Sequence, residues 1–449
     1  MAPRQLHSMQ PQTHIVALCL VCVILTIGWL PPPCIDAAQP QPAAGATGSA
    51  GSFTGEDLPC NADDWPCWRG PRRNNHSADR EPPTHWSRES RIAWKSEISG
   101  RGHASPCVFG DRIFIASADE EIETQFLVCY ERAHGQQVWR TNLHRGRFPP
   151  KNGKNSHASG TPACDGRLVI VPFVNADKLS VSAVDLDGNV AWQVSVGEYS
   201  HANGYGASPV LFHDLVILAS DNTAEPLLVA LNRTTGDVVW RTARRSSDNS
   251  ATPIVAHVAG RWQLLINGAY RVSSYDPATG ELWWWVDHQT EVAACTMAFD
   301  DLFVYASGNV PEKNMLCVRA GGHGDVTDTH VLWKTRKSNT YVPSPLICDD
   351  LLFVVIDSGV AFCRDAHSGN VIWKQRLGGD FSASPVLAGG NVYAISEDGA
   401  THVFRAGRKF ELVAKNDLGE RCLATPAICG GSIFIRTEGH LYCVGNESP

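Results

Sequence analysis

One phrase recurs along this chain at nearly constant spacing, and no other feature restricts the fold as much. It is a small residue, then Ser-Pro or Thr-Pro, then an apolar run. It reads HASPCVFGDRIFIAS at 103–117, ASGTPACDGRLVIVP at 158–172 and YGASPVLFHDLVILAS at 205–220, and it continues to LATPAICGGSIFIRT at 423–437. The prolines are Pro106, Pro162, Pro209, Pro253, Pro345, Pro385 and Pro426; an eighth copy carries Met297 in the proline's place. The period is about 46 residues, which is the signature of a repeat array and not of independent domains.

Each unit parses into strands. Proline opens the first, where a missing N–H does least harm. A short turn such as Gly110-Asp111 leads to an apolar second strand. A third strand ends in a polar residue and then a glycine, as in ALNRTTG at 230–236, and that glycine supplies the positive φ of a tight hairpin. The fourth strand carries a tryptophan, as in TGDVVWRT at 235–242. Four antiparallel strands per repeat make a propeller blade. An orphan fourth strand, RIAWKSEI at 91–98, precedes the first repeat, and the last repeat stops after three strands. The reading is therefore all-β: an eight-bladed propeller over 64–449 whose ring is closed by an N-terminal strand completing the last blade, removing the open edges that recruit other chains. The irregular spot is the seventh fourth strand, where Val413 stands for tryptophan.

Trp94, Trp139, Trp192, Trp240, Trp284, Trp333 and Trp373 recur too regularly for one chemical site and read as residues that dock each blade on its neighbour. The 15 cysteines suggest disulfides in an exported protein, but Cys129, Cys317, Cys363 and Cys443 fill a small-residue slot of third strands. First and third strands lie about 9–10 Å apart, beyond disulfide reach, so buried thiols are expected. Cys60 and Cys67, outside the repeats, are the pair left open for a disulfide clasp. No metal is expected, since the repeats contain no C-x-x-C and no His pair at ligand spacing. The loop GGHGDVTDTH at 321–330 lacks EF-hand spacing and reads as a long hairpin connection.

These patterns, with the opening phrase DWPCWRGPRRNNHS at 64–77, resemble the PQQ-like β-propeller repeat family over nearly all of 64–449. That family holds both quinoprotein dehydrogenases and the non-catalytic outer-membrane assembly factor BamB. The resemblance to the exported BamB-like members implies an interaction scaffold in the periplasm or cell envelope, a protein or polymer partner and a monomeric ring. The dehydrogenases stack pyrroloquinoline quinone on a vicinal Cys pair and bind calcium. This chain has no adjacent cysteines and no C-x-x-C-H, so neither cofactor is expected and no catalytic residue is assigned. A quinone- and calcium-dependent alcohol or sugar dehydrogenase is the alternative.

Any ligand site is expected in the loops before each Ser/Thr-Pro, which gather at one channel mouth. The candidates are His103, His157, His201, Asn203, Tyr205 and Asp248, with Asn249, Glu291, Tyr341, Asp380 and Arg421. A net charge of −8 argues against nucleic acid. Trp65 and Trp68 of the opening phrase are expected to plug the ring near its closure, with the arginines on acidic neighbours. Before it, the uncharged run 15–30 within residues 1–38 reads as an export signal or membrane anchor, the chain's only membrane contact. Residues 39–63 read as a disordered Pro/Ala/Gly/Ser linker.

Overall fold

The repeats close into eight four-stranded antiparallel blades, as the period implies. In the computed structural model, residues 60–445 are described, together with the backbone of Gln41–Pro42, which pairs with the outer strand of blade 3. The apolar run 15–30 and most of the linker lie outside the described residues. Blade 1 comprises Cys107–Phe109, Arg112–Asp119, Thr124–Glu131 and Gln137–Arg145, each strand hydrogen-bonded to the next. Blades 2 to 7 repeat this order, ending with Val386–Ala388, Asn391–Ile395, Ala400–Arg405 and Leu412–Asp417. Blade 8 is closed across the chain: Ile92–Glu97 pairs antiparallel with His440–Val444. Among the described residues no helix is long and apolar enough to cross a membrane.

The second and third strands are buried almost throughout, because both faces of a blade pack on neighbouring blades. Their sequences are accordingly continuous apolar runs, as strands covered on both sides require. The third-strand cysteines Cys129, Cys317, Cys363 and Cys443 are buried. The Cys60–Cys67 clasp is a correction: the structure forms no such disulfide, and the buried Cys67 thiol donates to the Gly70 carbonyl at 3.3 Å.

The tryptophans reach across the blade gaps in one geometry. Each indole N–H donates to a carbonyl in the hairpin between strands three and four of the next blade: Trp94 to Arg132 (3.0 Å), Trp139 to Leu186 (2.8 Å), Trp192 to Arg233 (3.0 Å), Trp240 to Pro277 (3.3 Å), Trp333 to Ala366 (2.8 Å) and Trp373 to Gly407 (2.9 Å). In five of these six the ring lies on that hairpin's glycine; Gly407, opposite Trp373, is the exception. A Cβ on Gly236 would sit 2.8 Å from the Trp192 ring, and one on Gly188 2.8 Å from that of Trp139. The glycine thus serves the neighbouring blade as well as its own turn.

Two positions depart from the pattern for physical reasons. Trp284 donates within its own blade, to Gln263 Oε1 at 2.8 Å. The next hairpin is the long connection at 321–330, whose Gly324–Asp325 pairs in parallel with Trp284–Trp285 and whose Val326 is buried in the same core. Val413 faces blade 8, whose third and fourth strands come from opposite ends of the chain. No hairpin joins them, so there is no turn for an indole to cap.

Candidate functional site: the channel mouth

The Ser or Thr of each repeat phrase forms a ring around the channel. The backbone N–H of one donates to the hydroxyl of the next blade: Ser105 to Thr161 (3.0 Å), Thr161 to Ser208 (3.0 Å), Ser208 to Thr252 (2.9 Å), Thr296 to Ser344 (2.9 Å), Ser344 to Ser384 (2.9 Å) and Ser384 to Thr425 (2.9 Å). The bond does not depend on the proline that follows, since Thr296, followed by Met297, makes it too.

The opening phrase seals one end of this channel. Trp65 exchanges backbone bonds with Val108 of blade 1, and the Pro66 carbonyl accepts from Cys164 of blade 2. Arg73 reaches the carbonyls of Leu211 and Val255 in blades 3 and 4. Arg69 reaches those of Thr296 and Pro345, entering blades 5 and 6. Asn75 binds Pro385 and Leu387 of blade 7, and Asp79 accepts from Gly431 of blade 8. The segment spans all eight blades and does not sit only at the closure. Both buried arginines hold strand carbonyls, and among the described residues Arg69 has no acidic neighbour of the kind expected of it. Burial lowers the Arg69 guanidinium to about 9, with Cys295 partly opposing.

Above this cork lies a cavity of about 400 Å³. Trp68 lines it, with its indole N–H on Thr296 Oγ1 at 2.9 Å. The walls carry seven of the eight ring hydroxyls, Asn152, Asn155 and Asn203, the aromatic rings of Tyr341 and Phe381, and Lys154, Asp357 and Glu397. Glu397 accepts from Ser382 Oγ (2.7 Å) and pairs with Lys154 (3.0 Å) and Arg421 (3.5 Å). Burial opposes its charge, but these partners prevail and hold it below the usual carboxylate range. Asp357 accepts from the backbone N–H groups of Tyr341 (2.9 Å) and Val342 (3.1 Å). Burial, then the cations Arg436, Arg101, Arg421 and Lys151, press the His103 imidazole down to about 3.

Of the expected residues, His103, Asn203 and Tyr341 line this cavity. Arg421 stands at its edge through Glu397. His157 and Tyr205 border a smaller neighbouring pocket. His201 is buried and stacks on Tyr199 with ring centroids 5.9 Å apart. Asn249 is structural, donating to Asp221 and Asn267 and accepting from Ala293. Asp248 is half-buried outside the cavity lining. Glu291 takes the Tyr270 hydroxyl at 2.6 Å, and Asp380 is exposed, its carbonyl on the Glu397 N–H. Sequence reasoning missed Glu397 and Asp357. Asp357 directly follows a second strand and Glu397 lies two residues past one; Asp221 and Glu438 stand at the same step of blades 3 and 8, so a carboxylate there does not by itself single out the cavity pair.

Calcium takes six to eight oxygen ligands. The two cavity carboxylates are already engaged by cations, a hydroxyl and backbone N–H groups, and no group of three or more His, Cys, Asp or Glu is assembled for a metal among the described residues.

A family model described as outer membrane protein assembly factor BamB matches residues 86–261 and 271–409. Among solved structures, BamB from Moraxella catarrhalis superposes with a TM-score of 0.56 at 15% identity, covering 79% of this chain and 97% of that one. A europium-containing methanol dehydrogenase gives 0.59 at 11%, covering 85% and 91%. The quinohemoprotein alcohol dehydrogenase from Comamonas testosteroni gives 0.59 at 11%, covering 86% and 81%. Likeness at such identity concerns the fold alone. No curated protein sequence matches significantly.

Proposed function

The chain belongs to the family of the outer membrane protein assembly factor BamB, and from that premise we propose that it works in the cell envelope as a rigid binding module, engaging a protein or polymer partner at its channel mouth without bond chemistry. The observation carrying this reading is the corked channel with one open mouth whose carboxylates are already engaged. General acid–base catalysis wants a group poised near the working pH. Glu397 is driven the other way, held ionised by Lys154, Arg421 and Ser382. The sequence reading adds export through the run 15–30.

The test places a photo-crosslinking side chain at Asn203 or Tyr341 in cells, with one at Val371, exposed on an outer strand, as comparison. Adducts from the two mouth positions and none from 371 are expected; equal labelling at all three would overturn the reading. The rival is a quinone dehydrogenase, favoured by the two dehydrogenase structures that match the fold as well as BamB does. Dye-linked alcohol oxidation after reconstitution with pyrroloquinoline quinone and calcium would establish the rival.

A further inference from the structure

The cavity above the cork is lined mostly by one kind of chemistry. More than half of its lining residues carry a neutral hydroxyl or carboxamide. With His103 held neutral, only Lys154, Asp357 and Glu397 carry charge there, and Lys154 pairs with Glu397. The floor has spare capacity of one sort. Thr161, Ser208, Thr252, Ser384 and Thr425 each accept a backbone N–H through the side-chain oxygen. A hydroxyl also has a proton to donate, and none of these five donates to a protein acceptor among the described residues. The Ser105 hydroxyl, on a residue 2% exposed, meets no partner at all. A buried polar group left unsatisfied costs about 1–3 kcal/mol, so the floor is set to donate to an acceptor in the cavity.

The wall supplies the opposite function. Each Asp357 oxygen takes one backbone N–H, from Tyr341 or Val342, while a carboxylate has about four acceptor positions. The carboxylate is thus fixed in place with capacity left. The Asn203 oxygen accepts from Asn152, and its amide nitrogen donates to no protein atom among the described residues; nor is the Tyr341 hydroxyl bonded there. Between these groups stand the rings of Trp68, Tyr341 and Phe381. An anion entering here meets two carboxylates and a lysine already paired with one of them. A cation meets the hydroxyl protons of the floor. A neutral ring with hydroxyls at its edge and C–H groups on its faces meets donors, acceptors and aromatic faces together.

We infer that this cavity takes a neutral polyhydroxylated ring, the unit of a mono- or disaccharide. Floor hydroxyls donate to its oxygens, Asp357 and Glu397 accept its hydroxyl protons, and the aromatic rings cover its faces. The volume of about 400 Å³ lies in the range of small-molecule sites. The proposal rests on the reading of the mouth as a binding site and names the ligand class, with no bond made or broken.

Calorimetric titration of the full chain tests this. The probes are glucose, galactose, mannose and N-acetylglucosamine, then maltohexaose and chitohexaose, with citrate and putrescine as charged comparisons. At least one sugar is expected to bind with Kd of about 1 mM or below, nearly unchanged as salt rises. The two charged probes are not expected to bind. A free sugar binding as well as its hexamer assigns a small sugar; a hexamer at least tenfold tighter assigns the end of a glycan chain. Asp357→Asn is expected to weaken sugar binding about tenfold. Tyr341→Phe removes a hydroxyl with no protein partner, so it should weaken binding several-fold with the unfolding midpoint unchanged. Failure of every sugar to bind, or binding of citrate or putrescine in their place, overturns the proposal. Sugar binding that neither variant weakens puts the sugar elsewhere on the ring and overturns it too. The binding-module reading fails separately, by the crosslinking comparison.

Discussion

At the scale of single residues, the tryptophan and the glycine it covers form one joint. Trp240 is 3% exposed and bridges blades 3 and 4; its removal deletes a buried indole, so Trp240→Ala is expected to cost about 3–5 kcal/mol in chemical denaturation. Gly236 and Gly260 have almost the same φ, +79° and +80°. A Cβ on Gly236 meets the Trp192 ring at 2.8 Å, whereas one on Gly260 meets nothing within 4 Å. Gly236→Ala should therefore destabilise clearly more than Gly260→Ala, which bears only the backbone strain of about 1 kcal/mol. Equal losses would mean that the turn alone explains the glycine. The sequence revealed the turn, because positive φ is a local property; it did not reveal the covering indole, which comes from another repeat. Buried histidines carry a second residue-scale consequence. His288 Nδ1 accepts from the Thr290 N–H and its Nε2 faces Asn267 Oδ1, so both nitrogens are used by the neutral ring. Burial, then Lys334, lowers it to about 4 from an ordinary 6.5. Between those values the unfolded chain takes up a proton that the folded chain refuses. The contribution is complete above pH 6.5 and is lost as pH falls towards 4, at up to about 1.4 kcal/mol per pH unit. Unfolding free energies measured across that window should fall less steeply with acid in His288→Gln.

At the scale of elements, six of the eight blades obey one rule: the fourth-strand tryptophan docks on the following blade's hairpin. The rule was legible because strand periodicity and the glycine–tryptophan spacing are local, and it led directly to eight blades. Its exceptions were not interpretable from the sequence, since each depends on what stands opposite. Val413 has no hairpin opposite because blade 8 is assembled from residues 92–97 and 427–444. Val413→Trp, which restores the consensus, is accordingly expected to bring no stabilisation and to lose roughly 1–3 kcal/mol by overpacking a position that already meets the core of blade 8. A gain in unfolding midpoint would show that an indole acceptor exists there after all. Trp284 illustrates the converse. Its acceptor Gln263 also takes the Ser274 hydroxyl and donates to the Val258 and Ala320 carbonyls, so a buried side-chain amide does the work of the missing hairpin.

At the scale of the whole molecule, two ties hold the ring, and they act on different parts of it. Closure joins blade 8 to itself and, through Trp94, to blade 1. The cork joins the inner edges of all eight blades through buried backbone and arginine bonds. Closure was readable from the count of strands at each end of the sequence. The cork's span was not, because DWPCWRGPRRNN advertises aromatic and basic character but nothing of the carbonyls awaiting it; those are backbone atoms and leave no trace in residue types. The mouth was legible only as a set of loops, since which side chains converge is set by the ring's curvature and by pairings such as Lys154 with Glu397, 243 positions apart. The two ties should separate in hydrogen exchange. Trp94→Ala loosens closure, and faster exchange is expected in residues 92–97, 440–444 and the 132–135 turn. Arg69→Ala removes the donor to the Thr296 and Pro345 carbonyls, each costing about 1–3 kcal/mol if left unsatisfied. Its faster exchange should appear instead along the first strands of blades 5 and 6 and spread through the hydroxyl ring to their neighbours, with the closing strand still protected. Protection lost first at residues 92–97 in Arg69→Ala would mean that the cork merely reinforces closure and is not a second, independent tie.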